Sequence, residues 1–197
     1  MIAETYEAFD SIIETDETRL VAALTTAFAA DPAARWFFPD AQQYLQHFPE
    51  FVRAFAGKAF AHGTADELED YSATALWLPP DVQPDGVAVM EVLHRGVSEA
   101  RWPEALHIME QMDAFHPREP HWHLAMIGVD PGQQGRGCGS ALLRNGIARC
   151  DADRLPVYLE ASNLRNVAFY ERFGFKVVGQ IKSQASPAII PMIRPAQ

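Results

Sequence analysis

At 197 residues the chain is long enough for one well-buried core and short for two ordinary domains, so residues 1–197 are expected to form a single domain. A composition of 48% hydrophobic and 21% charged residues excludes a disordered or fibrous chain, and a formal net charge of −10 argues against a nucleic-acid-binding surface. Two cysteines without metal-ligand spacing, no basic and apolar leader, and no apolar run of membrane-spanning length point to reduced thiols in a cytoplasmic protein.

In chain order, a short first strand is expected around 11–14. Thr15 or Asp16 can cap a helix in which Leu20, Val21, Leu24 and Phe28 recur at helical spacing until Asp31-Pro32. The segment 35–40 then reads as a loop between two prolines. The rings of Trp36, Phe37 and Phe38 either anchor the core, the commoner use, or wall a substrate pocket. A helical pattern over 41–62 carries Tyr44, Leu45, Phe48, Phe51, Phe55 and Phe60, with Pro49 either kinking it or starting a second helix. Segments 64–69 and 72–78, joined by a turn at Glu69-Asp70, read as an antiparallel hairpin, and amphipathic helices follow over 87–98 and 103–115.

The run 121–129 is apolar on both alternating faces from Leu124 onward, which marks a central strand covered on both sides. After a glycine-dense loop comes a helix whose buried stripe is Leu142, Leu143, Ile147 and Cys150, then a short buried strand over 157–160. Asn163 can cap a helix over 164–172 that Gly174 ends, and the last strands, 175–182 and 188–194, are expected to pair as a hairpin. The order gives a mixed α/β domain.

The stretch 127–140 runs from an apolar strand through a turn at Asp130-Pro131-Gly132 into Gly135, Gly137 and Gly139 at alternate positions, then into a helix. Such a loop converges backbone N–H groups on the positive end of a helix dipole, so a phosphate-bearing cofactor is expected there. The P-loop grammar fails, because Cys138 stands where the lysine belongs and Gly139 where the hydroxyl belongs. The dinucleotide grammar fails because the third glycine would fall on Ser140 or Leu142. A third pattern, Gln or Arg, two residues, Gly, one residue, Gly or Ala, is met by Gln134, Gly137 and Gly139.

With that loop, the strand Val157-Tyr158-Leu159-Glu160 and the segment from Asn166 through Phe169-Tyr170-Glu171 to Phe175 in order, the chain resembles the GNAT N-acetyltransferase superfamily over roughly 124–175. Within it, the chain is similar to the puromycin N-acetyltransferase group in Pro117 to Pro120, Gln134-Gly135, Leu159-Glu160, Arg165-Asn166 and Phe169 to Arg172. The resemblance implies an α/β GNAT fold: a mixed, mostly antiparallel twisted sheet with a central parallel, splayed strand pair and helices on both faces. It implies acetyl-CoA as cosubstrate, no metal, and direct acetyl transfer to the amine of a small molecule, an antibiotic or other xenobiotic being one candidate. Nucleic-acid and membrane partners are not expected, and a homodimer is compatible with it.

On the same resemblance, the pyrophosphate would rest on the backbone of Gly135, Arg136, Gly137, Cys138, Gly139 and Ser140. Gln134 would order the loop or bind a phosphate, and Arg136 would either add charge or stay solvated. Pantetheine would pair with the backbone of Ile127, Gly128 and Val129, with Asn166 and Phe169 alongside and the Val129 N–H at the oxyanion. Tyr170 matches the family's tyrosine acid, since a phenol of pKa about 10 keeps its proton where a leaving thiol has about 8.5. Glu160 is the candidate base, with desolvation expected to raise its pKa, and a structural carboxylate is its other reading. His121, His123 or a water are the other bases considered. Cys138 reads as a small apolar filler and Asn163 as a helix cap. Two rivals stand beside this reading: an acyl-CoA-sensing protein without turnover, and an acyltransferase with another acyl donor or a hydroxyl acceptor.

Overall fold

The computed structural model describes residues 16–68 and 71–197. The expected strand at 11–14 and the turn at Glu69-Asp70 lie outside them. Leu20, Val21 and Leu24 fall on one face of α1 (Glu17–Ala27) and are buried by it. Asp31, expected only to end that helix, starts the next. Its side chain accepts the Ala33 and Ala34 N–H groups at 3.0 Å each, and Pro32 supplies the preset φ of a first helical turn. The first half of the loop expected at 35–40 is therefore the end of a short helix, α2 (Pro32–Phe37), which buries Trp36 and Phe37 while Phe38 follows buried at its end.

Asp40 caps α3 (Ala41–Ala56) in the same way, and Pro49 lies inside this one helix instead of beginning another. The break comes at Gly57, before α4 (Lys58–Ala61). Spacing of three, four and seven places Tyr44, Phe48, Phe51 and Phe55 in a ladder of rings, with centroids 4.8, 6.0 and 5.4 Å apart in turn. Leu45, part of the same apolar pattern, is 66% exposed.

β1 (Ala65–Glu67) and β2 (Ala73–Leu78) form the expected antiparallel pair, followed by α5 (Gly86–Gly96) and α6 (Trp102–Phe115). Then come β3 (Trp122–Val129), α7 (Cys138–Ala152), β4 (Val157–Ala161), α8 (Val167–Glu171), β5 (Lys176–Val177) and β6 (Ile190–Arg194). The helix expected over 164–172 is a 3-10 turn, Leu164–Asn166, capped by Asn163 and continued by α8. The strand expected over 175–182 is reduced to β5 and a bridge between Ile181 and Ile189. The chain leaves the ladder between them, where Gly179 lies against the Phe115 ring.

Among the described residues the sheet order is β1-β2-β3-β4-β6-β5, with only β3 and β4 parallel. This is the mixed, mostly antiparallel sheet that the sequence implies. One face carries Leu76, Leu78 and Met126 under α1, α3, α5 and α6; the other carries Ala75, Trp77, Leu124 and Leu159 under α7. In β3 the pairing to β2 slips by one residue: Leu76 faces Met126 and Trp77 faces Leu124, so Ala125 has no partner. Among the described residues no helix is long and apolar enough to cross a membrane.

Candidate active site

β3 and β4 pair only at Trp122 with Val157 and His123 with Tyr158. Beyond those positions they part, and a cavity of about 770 Å³ opens between them. Leu124 to Val129 line one of its edges, and Leu159, Glu160 and Ser162 the other. α1 packs onto β3 at Gly128, where a Cβ would stand 2.7 Å from the Ala27 Cβ. Only a residue without a side chain lets helix and strand come this close.

The glycine loop closes one end of the cavity. The Asp130 side chain accepts the Gly132 N–H at 2.7 Å, its carbonyl accepts Gln133 N–H, and its own N–H is held by the Ser72 carbonyl. Gln134 donates its side-chain amide to the Val129 carbonyl at 3.3 Å, which ties the loop back to the strand end. Gly137 has φ +91°, a conformation that L side chains rarely adopt, and it is the N-cap of α7 with no side chain to offer. The first N–H groups of that 15-residue helix thus remain for an outside acceptor, and Gly135, Gly137, Cys138, Gly139 and Ser140 line the cavity there. A Cβ on Gly139 would meet the Val129 and Phe169 side chains only at ordinary contact distance, so the fold itself makes no demand for glycine at that position. These features fit an acyl-CoA pyrophosphate and its pantetheine arm: uncapped donors at a helix start, and a slot along a strand edge. Cys138 is buried in the α7 core, as a filler would be. Arg136 is exposed and stands outside the lining, whereas Asn166 and Phe169 belong to it.

At the neck of the splay, Glu160 lines the cavity and sits 3.0 Å from His123 Nε2, with the two side chains 7% and 4% exposed. Burial pushes the Glu160 carboxyl up, but the charge and hydrogen bond of His123 outweigh it and hold the group below the usual carboxylate range. The expected rise is therefore corrected to a fall, and the cause is a partner 37 positions away in sequence. His123 donates from Nε2 to the carboxylate, which leaves Nδ1 buried without a hydrogen bond. His121 is turned away from the cavity. Its Nδ1 donates to the Glu119 carbonyl at 2.7 Å, so in the neutral ring Nε2 is bare and accepts from His116 Nε2 at 3.1 Å. Burial pushes both of these rings down, His116 to about 4, so they stay neutral at neutral pH.

Tyr170, on α8, is 6% exposed and lines the cavity. Burial, and then the charge of Asp31, push its phenol above the ordinary value, so it keeps its proton. Asp31 and Ser162, to which sequence reasoning gives no role of their own, line it as well. Ser162 donates to Asp31 Oδ2 at 2.7 Å, joining the start of α2 to the end of β4. Burial pushes the Asp31 carboxyl up against the hydrogen bonds it accepts. The Asp31-Pro32 pair reads in sequence as a helix end, and nothing there puts it beside residues 160–170. Phe37 and Phe38 serve both readings of the aromatic segment, since each is buried and each lines the cavity.

Residues 30–175 match the acetyltransferase (GNAT) family. An uncharacterised N-acetyltransferase of Schizosaccharomyces pombe is 27% identical over 176 residues, covering 81% of this chain and 70% of that protein. A mycothiol acetyltransferase of Salinispora arenicola is 35% identical over 145 residues, which cover 60% of this chain and 43% of the relative. Among solved structures, a Corynebacterium glutamicum protein described as histone acetyltransferase HPA2 and related acetyltransferase superposes with a TM-score of 0.65 at 26% identity, over 94% of both chains. Arylalkylamine N-acetyltransferase 2 of Aedes aegypti shares the fold, with a TM-score of 0.67 at 11% identity over 96% of this chain and 99% of that one.

Proposed function

The chain belongs to the acetyltransferase (GNAT) family, and from that premise we propose that it moves an acetyl group from acetyl-CoA to the amine of a small molecule by direct transfer. The observation that carries this reading is one continuous cavity. It joins the uncapped start of α7, the splayed edges of β3 and β4, Glu160 and Tyr170.

In this reading the N–H groups at the start of α7 and around Gly135 hold the pyrophosphate, and Asn166 and Phe169 flank the arm. The free edge of β3 from Ile127 to Val129 pairs with pantetheine in place of β4. When bound, acetyl-CoA supplies a thioester whose C–S bond breaks as the amine nitrogen forms the new C–N bond. The Val129 N–H faces the developing oxyanion. Glu160, oriented by His123, takes the proton that the attacking amine loses. Tyr170 gives its proton to the departing sulfur; a phenol pushed up by burial still holds that proton at neutral pH, when the thiolate needs it. Asp31 and Ser162 hold α2 and β4 together beside these groups.

The experiment is free-CoA release from acetyl-CoA with a panel of amines that includes puromycin, other aminoacyl amines, polyamines and arylalkylamines. Turnover with at least one amine is expected. Tight acyl-CoA binding without release across the panel would favour the sensing rival, and release only with longer acyl donors or with alcohols would favour the other.

A further inference from the structure

The cavity has a lopsided charge. Beyond the splay its walls are rings: Phe28 at the end of α1, Phe37 and Phe38 at α2, and Phe48, Phe51 and Phe55 along α3. The charged side chains lining the whole cavity are Asp31, Glu160, Arg165 and Arg172. Both arginines are exposed and stand on the segment that carries Asn166 and Phe169, at the cosubstrate end. Asp31 stands at the start of α2 with Phe37 and Phe38, and Glu160 at the neck of the splay.

His123 pairs with Glu160 from outside the lining, and among the described residues no cation pairs with Asp31. All 16 lysines and arginines and all 7 histidines fall within the described residues, and the remaining stretches, 1–15 and 69–70, contain acids and no basic residue. No histidine is in the lining. Asp31 also has capacity to spare. Its Oδ1 accepts two backbone N–H groups and its Oδ2 accepts one hydroxyl, out of about four acceptor positions on a carboxylate. An acceptor bearing a carboxylate or phosphate would bury that charge among rings beside Asp31, with no cation on that wall to pair it. An ammonium group finds Asp31.

Resting on the acetyl-transfer reading above, we infer that the acceptor is an amine on an apolar or aromatic body free of negative charge, with Asp31 as the specificity-determining residue that admits its ammonium and turns acids away. Hydroxyl-rich amino sugars are poor acceptors for a related reason: rings offer their hydroxyls no hydrogen bonds.

The test compares phenethylamine, phenylalanine amide, phenylalanine and glucosamine on the full chain with acetyl-CoA. The first two are acetylated, and the free carboxylate lowers kcat/KM by about 100-fold relative to the amide. Asp31→Asn keeps a capping oxygen and removes the charge. It narrows that amide-to-acid ratio by about 10-fold, chiefly through a higher KM for the amide, while KM for acetyl-CoA and the thermal midpoint hold. Equal turnover of acid and amide, or an unchanged ratio in the folded Asp31→Asn variant, overturns the charge rule while transfer itself stands. Silence with every acceptor sinks the transfer reading instead. The charge rule is then decided by binding of the same amide and acid to the CoA-loaded protein, where equal affinity overturns it.

Discussion

The two ends of the cavity are built in opposite ways. The glycine-loop end is lined chiefly by one short stretch of chain, Val129 and Gln133 to Ser140 without Arg136, and what it offers is backbone N–H at the uncapped start of α7. The ring-walled end is made of side chains from α1, α2 and α3, brought to β4 by contacts such as the Asp31–Ser162 hydrogen bond, which spans 131 positions. A backbone site constrains sequence by what must be missing, as with the Cβ at Gly137, and so it leaves a short readable signature. A side-chain site constrains only what is brought near, and its members can be scattered.

The largest expected effect lies between the two ends. Tyr170→Phe keeps the packing and removes the donor, so kcat falls about 10²- to 10³-fold at neutral pH while acetyl-CoA affinity by titration calorimetry is kept. Unchanged turnover would remove Tyr170 from the chemistry and leave the two ends without a shared acid. At the backbone end, Gly137→Ala forces a Cβ into a left-handed conformation that costs about 1–2 kcal/mol. Acetyl-CoA binding then weakens about 10-fold, with the acceptor KM unaffected. A matching loss in acceptor affinity would show that the ends are not independent.

The contrast sharpens at His123. With that ring replaced in His123→Ala, burial is the main influence left on Glu160, and its carboxyl moves up from below the usual range. A base that must be ionised then fails at higher pH, so the acid limb of the kcat profile shifts upward by about one unit or more. A limb that stays in place would mean that Glu160 is not the titrating base. The smallest effect separates fold from ligand: Gly139→Ala meets only ordinary contacts and gains helix propensity, so the thermal midpoint holds or rises. If the pyrophosphate lies where proposed, acetyl-CoA affinity nonetheless drops about 3-fold or more. Unchanged affinity would move the phosphates away from that turn.

The same division governs what could be read in advance. The strand order around the loop, the central place of β3 and the α7 stripe all follow periodicity or glycine spacing and are present as expected. The burial of Glu160 is written in its own strand and predicts a rising pKa, whereas His123, which reverses the direction, lies on another. Asp31 was read as an ending because proline follows it; the same pair is an N-cap and first turn, and only the tertiary fold brings Ser162 to its other oxygen. The strand expected at 11–14 lies outside the described residues.

The unpaired Ala125 has a consequence for how the gap between β3 and β4 is specified. Regular pairing would need one residue fewer in β3, and the surplus falls just past His123, the last position at which β3 still pairs with β4. A surplus residue bends the strand that carries it and tightens its twist. The opening between β3 and β4 thus begins beside a miscount of β3 against β2. Deleting Ala125 would keep Leu124, Met126 and Ile127 on their present faces, yet it would remove the bend and favour zipping β3 further onto β4. Such a variant is expected to fold while narrowing the groove, an outcome that would tie the opening of this sheet to the length of one strand.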